Sequence, residues 1–251
     1  LGAVPPVAID VTALQSEGTK LGLGSSAAAA VAAAGAVFAH HGRDLAVPEV
    51  VDEIFECAFG GHAAVAPSGS GVDVAASAYG GYLRFQRGPG QVSRRALRPP
   101  ADLALRLIWT GTPVRTSELV QRVQGFRERD PRGYRGILAE LSAVGQRFVD
   151  AIEGPSSAAV VAEADAYGLA MDALGRGAGA PIVETKLRRI ASLARAHGGA
   201  AKPCGAGGGD VAVAFFEDEA SARAFDRACV DAEFPPVEVG WGAVGVREDT
   251  D

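Results

Sequence analysis

A lysine, two glycines and two serines stand directly before an alanine-rich stretch, in the segment KLGLGSSAAAA at Lys20–Ala30. The two glycines let the backbone turn tightly and approach a ligand without interference from a Cβ atom. The serines open a predicted helix, whose first N–H groups and positive dipole end attract anions. The segment therefore predicts a phosphate site, in which Lys20 adds a point charge and the hydroxyl of Ser25 or Ser26 adds an oxygen ligand for Mg²⁺.

The order of these residues disfavours one common nucleotide site and leaves one alternative open. Because Lys20 precedes the glycines, the segment differs from the G-x-x-x-x-G-K-[ST] motif, which disfavours a P-loop NTPase. The alternative is a capped helix that packs closely on a sheet and binds no ligand.

A second loop rich in glycine and serine precedes a carboxylate, in PSGSGVDVAASAYGG at Pro67–Gly81. Asp73 lies in the first turn of a predicted helix, where a carboxylate is often only a cap that compensates the helix dipole. The loop favours a functional role instead, because Ser68 and Ser70 are suited to hold a second anion. An acid at such a position can accept a proton, bind a metal or orient an attacking oxygen. We interpret His62 as a structural, hydrogen-bonded histidine and leave it outside the predicted site.

A third glycine loop lies in AKPCGAGGGDVAVAF at Ala201–Phe215. Four glycines in five positions cost backbone entropy, which favours a special conformation or a close approach to another group. A flexible linker is the alternative, but an alternating apolar strand follows at once. Two of the three lysines, Lys20 and Lys202, stand just before glycine loops, which favours compact charges near phosphate. Cys204 has no neighbouring cysteine or base that would support a nucleophile.

The elements that must position these loops fall into two groups, separated by a stretch rich in proline, glycine and arginine at residues 88–100. We place the domain boundary there and divide the chain into residues 1–95 and 96–251. The second domain is expected to be α+β, with a small sheet packed on helices. Periodicity and turn residues predict strands at 4–14, 82–86, 103–109, 211–216 and 237–246, a polar loop at 15–19, and helices at 25–40, 48–59, 72–79, 116–129, 134–152, 157–174, 181–196 and 219–231.

Composition narrows the classes of partner. The formal net charge of −6 gives no general electrostatic reason to bind nucleic acid or anionic lipid. Three cysteines without C-x-x-C spacing predict neither a zinc ribbon nor a disulfide framework and fit the cytoplasm. The longest apolar stretch, Ala27–Ala39, has 13 residues, short of the roughly 20 that a bilayer span needs. The first residues do not look like a signal peptide, since no charged segment precedes an apolar one.

The three segments, in this order, resemble the superfamily of galactokinase, homoserine kinase, mevalonate kinase and phosphomevalonate kinase (the GHMP kinases), over nearly the whole chain. GLGSSAA at Gly22–Ala28 is similar to the ATP-phosphate motif, and GAGGGD at Gly205–Asp210 is similar to the C-terminal glycine motif. Lys20, Asp210 and the segment WTGTPVRTSELVQRV at Trp109–Val123 most resemble the phosphomevalonate kinases. The family's first strand, with a Pro-Gly-Lys-like phosphate contact, has no counterpart here, so this resemblance implies an incomplete N-terminal part.

The resemblance implies a two-domain α+β fold with the active cleft between an incomplete ATP-binding domain, 1–95, and a substrate-binding domain, 96–251. It implies ATP and Mg²⁺ as cofactors and transfer of the γ-phosphoryl group to 5-phosphomevalonate in the mevalonate pathway. Small molecules, and neither nucleic acid nor membrane, are then the expected partners. The alternatives are mevalonate kinase or another small-molecule GHMP kinase, and a non-catalytic nucleotide-binding or regulatory homologue.

The resemblance also implies a role for each matching residue. Lys20 and Asp73 are the catalytic residues, and Ser26 is the metal ligand. The residues that hold the ATP phosphates are Gly22, Leu23, Gly24, Ser25 and Ser26. The residues that bind the acceptor are Ser68, Gly69, Ser70, Arg115, Thr116, Ser117, Gly205, Ala206, Gly207, Gly208 and Gly209.

Overall fold

Two units of the chain make most of their contacts within themselves: Leu1–Leu97 together with Gly240–Asp251, and Arg98–Val239. Residues 240–251 group with the first unit, whereas the sequence analysis assigned them to the second domain. The computed structural model describes residues 6–12, 15–16, 19–20, 22–65, 69–88, 91–111, 116–209 and 211–249.

Three helices form the core of the first unit: α1 (Ser25–His40), α2 (Pro48–Val65) and α3 (Val72–Tyr79). The start and end of α3 agree with the prediction, and so do those of α1. The prediction ended α2 at residue 59, at a glycine pair, which was wrong by six residues. Glycine costs a helix about 1 kcal/mol per residue, and packing of an apolar face outweighs such a cost. That face of α2 buries Val50, Ile54, Phe55 and Ala58.

Short strands complete the first unit. Strands β1 (Gln15–Ser16) and β2 (Thr19–Lys20) pair where a polar loop was predicted over 15–19, so that prediction was wrong at these residues; β3 (Tyr82–Gly88) forms an antiparallel hairpin with β4 (Gln91–Leu97). The prediction missed β4. The strand predicted at 4–14 was wrong over residues 6–12, which the structure describes without strand. A strand needs a partner for its N–H and C=O groups, which composition alone does not supply.

The C-terminal segment joins the first unit because two glycines allow close backbone contact. A Cβ atom on Gly80 would stand 2.1 Å from the nitrogen of Gly245, and one on Gly245 would stand 2.2 Å from the carbonyl oxygen of Ala78. Backbone hydrogen bonds run from Val246 to Ala78 (3.1 Å) and from Gly81 to Ala243 (2.8 Å). These contacts replace most of the edge strand predicted at 237–246.

The second unit is α+β, as predicted, with a small antiparallel sheet packed on helices. The sheet has the order β6 (Ala200–Pro203), β7 (Val211–Phe216), β5 (Ala104–Trp109) and β8 (Pro236–Val237). Its helices are α4 (Thr116–Arg129), α5 (Pro131–Glu153), α6 (Ser157–Ala178), α7 (Thr185–Ala196) and α8 (Glu219–Asp231). None of the described helices is long and apolar enough to span a membrane.

Side-chain caps fix several helix starts in the second unit. Glu184 accepts hydrogen bonds from the N–H groups of Lys186 and Leu187, so α7 begins at Thr185 and not at the predicted residue 181. Asp130 caps α5 ahead of a proline at the first helical position. Such caps are worth about 1 kcal/mol each.

Candidate functional site

The glycine loop before α1 has the backbone that the sequence predicted for a phosphate site. Gly22 and Gly24 have φ angles of 74° and 77°, a region that costs a residue with a side chain roughly 1–2 kcal/mol. Gly24 is the N-cap of α1, and among the described residues no side chain caps this helix end. The first N–H groups of α1 are therefore left for an anion. The side-chain cap of the alternative interpretation is not found among the described residues, and the phosphate site stays a prediction.

The hydroxyl of Ser26 and the carboxylate of Asp73 face the same imidazole. The Ser26 Oγ lies 3.3 Å from the Nε2 of His62, and that Nε2 lies 3.9 Å from the Oδ2 of Asp73. The His62 side chain is 12% exposed and that of Asp73 is 40% exposed, so the carboxylate is open to a ligand while the ring is not. The structure thus brings together two side chains that the sequence predicted separately.

The entry to α3 holds Asp73 in place. Gly71 has a φ of 80°, and a Cβ atom there would stand 2.6 Å from the Phe59 ring. The N–H of Val74 donates to the Oδ1 of Asp73 at 3.0 Å, which leaves Oδ2 directed toward the imidazole. The Ser70 hydroxyl accepts a weak hydrogen bond of 3.4 Å from Val72, beside Gly69.

A surface pocket of about 660 Å³ opens at this loop and is lined by Ser70, Val72, Phe85, Arg87 and Gly88. The Arg87 guanidinium lies 4.3 Å from the centre of the Phe59 ring, a cation–π contact. The pocket thus combines a hydroxyl and a positive charge within the first unit.

In the second unit, the chain leaves the sheet at one and the same end in two places that precede or contain predicted acceptor residues. Trp109 at the end of β5 pairs with Val211, and Pro203 at the end of β6 pairs with Ala212. The loop after β5 and the loop between β6 and β7 therefore leave the sheet at the same end. The first loop leads into α4, which starts with the exposed Thr116 and Ser117, and the second contains the residues Gly205, Ala206, Gly207, Gly208 and Gly209.

Close packing shapes the glycine loop of the second unit. Gly207 and Gly208 have φ angles of 83° and 88°, and the N–H of Gly208 donates to the carbonyl oxygen of Ile182 at 2.8 Å. A Cβ atom on Gly207 would stand 2.2 Å from that same oxygen. This loop is a fixed conformation and not the flexible linker of the alternative interpretation.

Lys202 lies in β6, just before this loop. Its Nζ donates to the Pro203 carbonyl at 3.0 Å and lies 4.9 Å from the Tyr167 ring centre. Burial lowers the pKa of the Lys202 ammonium group.

Some predicted residues lie outside the described part of the chain. These are Ser68, Arg115, Asp210 and the side chain of Lys20, whose backbone pairs with Gln15. Their roles stay predictions.

The residues present fit Mg²⁺ in the way that nucleotide sites bind it. The described residues contain no group of three histidine, cysteine, aspartate or glutamate side chains that would hold a metal alone. Mg²⁺ in such sites keeps several waters and takes one or two protein oxygens together with phosphate oxygens. The Ser26 hydroxyl and the Asp73 carboxylate are oxygen ligands of this type.

From the sequence, His62 was interpreted as a structural, hydrogen-bonded histidine outside the site, in a loop predicted over residues 60–71. In the structure His62 is on the last turn of α2, with its ring between α1 and α3. The available sign was a polar residue in an otherwise small and apolar segment, GGHAAV.

Comparison with known proteins gives matches to both units. The model of the GHMP kinases N-terminal domain matches residues 8–81, and that of the GHMP kinases C-terminal domain matches residues 168–235. Together they cover more than half of the chain.

Two curated relatives are kinases. A phosphomevalonate kinase from Streptomyces sp. (strain CL190) is 32% identical over 241 residues, which are 87% of this chain and 63% of the relative. A mevalonate kinase from Bos taurus is 28% identical over 265 residues, which are 96% of this chain and 64% of the relative. The chain therefore spans slightly less than two thirds of either relative.

The solved structure of Streptococcus pneumoniae phosphomevalonate kinase in complex with phosphomevalonate and AMPPNP matches with a TM-score of 0.77. The match covers 90% of this chain and 70% of that chain at 19% identity, so it shows the fold alone. The fold and the two matched domains agree with the resemblance in the three glycine segments. The chain belongs to the GHMP kinase family.

Proposed function

We propose that this chain belongs to a kinase that transfers the γ-phosphoryl group of ATP to the phosphate of 5-phosphomevalonate, giving 5-diphosphomevalonate. The observation that carries the proposal is the arrangement of the uncapped α1 N-terminus, Ser26 and Asp73 around His62. The 32% identity to the Streptomyces phosphomevalonate kinase supports the choice of acceptor.

The first turn of α1 is proposed to bind the ATP phosphates. The N–H groups that follow Gly24 point out of the N-terminal end of α1, where the helix dipole places a positive partial charge. They are already oriented, so they can neutralise phosphate oxygens without a conformational change. Lys20 is proposed to add a further charge beside this loop. Ser26 and Asp73 would hold Mg²⁺, which supplies charge neutralisation at the transferring phosphoryl group.

Asp73 is proposed to orient the acceptor. A phosphate monoester has a second pKa of about 6, so it is largely a dianion at pH 7 and needs little deprotonation. Most of the barrier is then lowered by positioning and charge neutralisation, which need no covalent intermediate. With an alcohol acceptor, Asp73 would have to act as a general base instead.

Hydroxyl and backbone N–H donors of the second unit are proposed to bind substrate phosphate. Thr116 and Ser117 begin α4 with exposed hydroxyl groups at a helix N-terminus, and Gly207 and Gly208 have the open backbone that such contacts need. The acceptor is proposed to contact three residues of the first unit, Ser68, Gly69 and Ser70. Arg115 of the second unit is proposed to contact it as well.

Mevalonate kinase is the second candidate, because the match to the bovine enzyme covers 96% of the chain. Both candidates place the reaction among small molecules.

All three cysteines, Cys57, Cys204 and Cys229, are free. A reducing compartment such as the cytoplasm suits them.

The test is ADP release by the full-length gene product with 5-phosphomevalonate, mevalonate, homoserine and a hexose as acceptors. We expect kcat/KM for 5-phosphomevalonate to exceed that for mevalonate by at least ~100-fold, or about 2.7 kcal/mol. Equal or greater activity with mevalonate would move the assignment to mevalonate kinase. Nucleotide binding without turnover of any acceptor would favour the non-catalytic alternative.

A matched pair of variants tests the acceptor site. Ser117→Ala should raise KM for the phosphate acceptor by roughly 10-fold, because a hydrogen bond to a charged group is worth about 1.5–3 kcal/mol. Ser142→Ala removes a hydroxyl that is likewise exposed, on α5, and should leave KM unchanged. The same KM in both variants would remove Ser117 from the proposed site.

A further inference from the structure

We propose that His62 is a positioning residue of this site: its Nε2–H group binds the Ser26 hydroxyl and faces the Asp73 carboxylate, and so fixes the first turns of α1 and α3 against each other. The inference deepens the proposed function and rests on it. The sequence predicted His62 to be a structural, hydrogen-bonded residue and gave it no part in the site.

The imidazole of His62 is less exposed to solvent than either of the two groups that it faces. His62 is on the last turn of α2 and its side chain is 12% exposed, while Ser26 is exposed and Asp73 is 40% exposed at its side chain. Its Nε2 lies 3.3 Å from the Ser26 Oγ and 3.9 Å from the Asp73 Oδ2. A rigid, largely buried ring therefore stands behind two more accessible oxygen groups.

The two oxygens decide which nitrogen carries the proton. A proton on Nε2 makes this atom a donor directed at two acceptors, the hydroxyl and the carboxylate. With the proton on Nδ1, the lone pair of Nε2 would face a carboxylate oxygen at 3.9 Å, which is unfavourable. We therefore assign a proton to Nε2 of His62.

This proton position sets what Ser26 can still do. A hydroxyl has one donor and two acceptor lone pairs, and the imidazole uses one lone pair. The other lone pair remains for Mg²⁺, and the hydroxyl hydrogen remains for a phosphate oxygen. His62 thus orients the serine without using the groups that the ligand needs.

The energetic reason for such a residue is the precision that phosphoryl transfer demands. An error of 1 Å in the placement of a reacting group costs on the order of 100-fold in rate. The Ser26 and Asp73 side chains belong to different helices, so their separation depends on what stands between them. His62 contacts both.

Two substitutions separate hydrogen bonding from packing. His62→Phe keeps a planar ring of similar size but removes the N–H, whereas His62→Gln keeps an N–H donor. In the full-length protein we expect His62→Phe to lower kcat by at least ~10-fold with KM for ATP within about 3-fold, and His62→Gln to retain kcat within about 3-fold. His41→Phe, at an exposed histidine after α1 in the same unit, is the control and should match wild type.

A double-mutant cycle tests the contact itself. If His62 acts through Ser26, the variant with both His62→Phe and Ser26→Ala should lose less kcat than the product of the two single losses. Multiplicative losses would show that the imidazole acts independently of the serine and would overturn the proposal.

Two readouts do not depend on turnover. Long-range ¹H–¹⁵N correlation spectra of the imidazole should show the proton on Nε2, and a proton on Nδ1 alone would overturn the assignment. Titration with a fluorescent ATP analogue should show that Mg²⁺ strengthens binding less in His62→Phe than in wild type; an unchanged Mg²⁺ effect would count against the positioning role.

These readouts separate the two proposals. If the wild-type protein turns over none of the acceptors, the proposed function fails. The position of the imidazole proton and the effect of Mg²⁺ on nucleotide binding still test whether His62 is a positioning residue. If His62→Phe does not fold, the position of the imidazole proton and the kcat of His62→Gln decide instead. Wild-type kcat in a folded His62→Phe would overturn the inference.

Discussion

The Cβ atom of Asp73 lies 3.6 Å from the point at which a Cβ atom on Gly24 would stand. The glycine loop before α1 therefore lies directly against the first turn of α3. Because the contact is of ordinary van der Waals length, an alanine at position 24 meets Asp73 without a clash, and its backbone conformation is the main obstacle.

Gly24→Ala is expected to lower activity more than stability. Gly24 and Gly42 have φ angles of 77° and 72°, so alanine at either position costs roughly 1–2 kcal/mol of unfolding free energy. Only Gly24 lies beside Asp73, since nothing stands within 4 Å of a Cβ on Gly42. Denaturant unfolding should give similar losses for both variants, and ADP release should fall about 10-fold or more in Gly24→Ala alone. Equal kinetics would place the loop outside the site.

Asp73→Asn distinguishes an orienting carboxylate from a general base. If the acceptor is an ionised phosphate, turnover should fall about 10- to 1000-fold through loss of charge and metal binding, while both limbs of the pH–rate profile persist. The measurement is kcat/KM from pH 5 to 10 for wild type and variant. Loss of the acid limb in Asp73→Asn would show that Asp73 is a base and would favour an alcohol acceptor.

Gly207→Ala should distort the second glycine loop. Its φ is 83°, and a Cβ atom would stand 2.2 Å from the Ile182 carbonyl oxygen, so the loop must move. Gly198 has a φ of 78° with nothing within 4 Å of an added Cβ, and it serves as the matched control. We expect Gly207→Ala to raise acceptor KM about 10-fold or more and to lower stability beyond the loss in Gly198→Ala. Identical KM values would remove the loop from acceptor binding.

Helix starts were predictable where local residues determine them. Ser25, Thr116 and Glu219 begin helices at the predicted positions, because the apolar period and the residues next to each start act locally; Asp218, for example, caps α8. The strand Val211–Phe216 was equally clear from its apolar run.

What the sequence did not predict depends on contacts between distant residues. Strand β6, Ala200–Pro203, has no β-branched residue and exists because it pairs with β7. The segment that follows Gly240 joins the first unit through backbone contacts at Gly80 and Gly245. The place of His62 required the extension of α2 past two glycines, which only packing of its apolar face explains.

Lys202 gives a test in which stability and pH are linked. Burial lowers the pKa of its ammonium group, and no carboxylate of the described residues forms a salt bridge with it. Between the lowered pKa and the ordinary value of 10.5, the unfolded chain binds more protons than the folded one. The free energy of unfolding therefore rises with pH in this window, by up to about 1.4 kcal/mol per pH unit.

Lys202→Met removes this titration and keeps the length and apolar stem of the side chain. The difference in unfolding free energy between Lys202→Met and wild type should favour the variant at pH 8 and shrink toward pH 10, because only wild type gains stability on deprotonation of the lysine. Denaturant unfolding of both proteins at pH 8 and pH 10 measures this difference. The contributions of all other titrating groups are the same in the two proteins and cancel. A difference that stays constant with pH would show that the Lys202 ammonium is not desolvated. The contact with Tyr167 and the Pro203 carbonyl would then suffice to keep it charged.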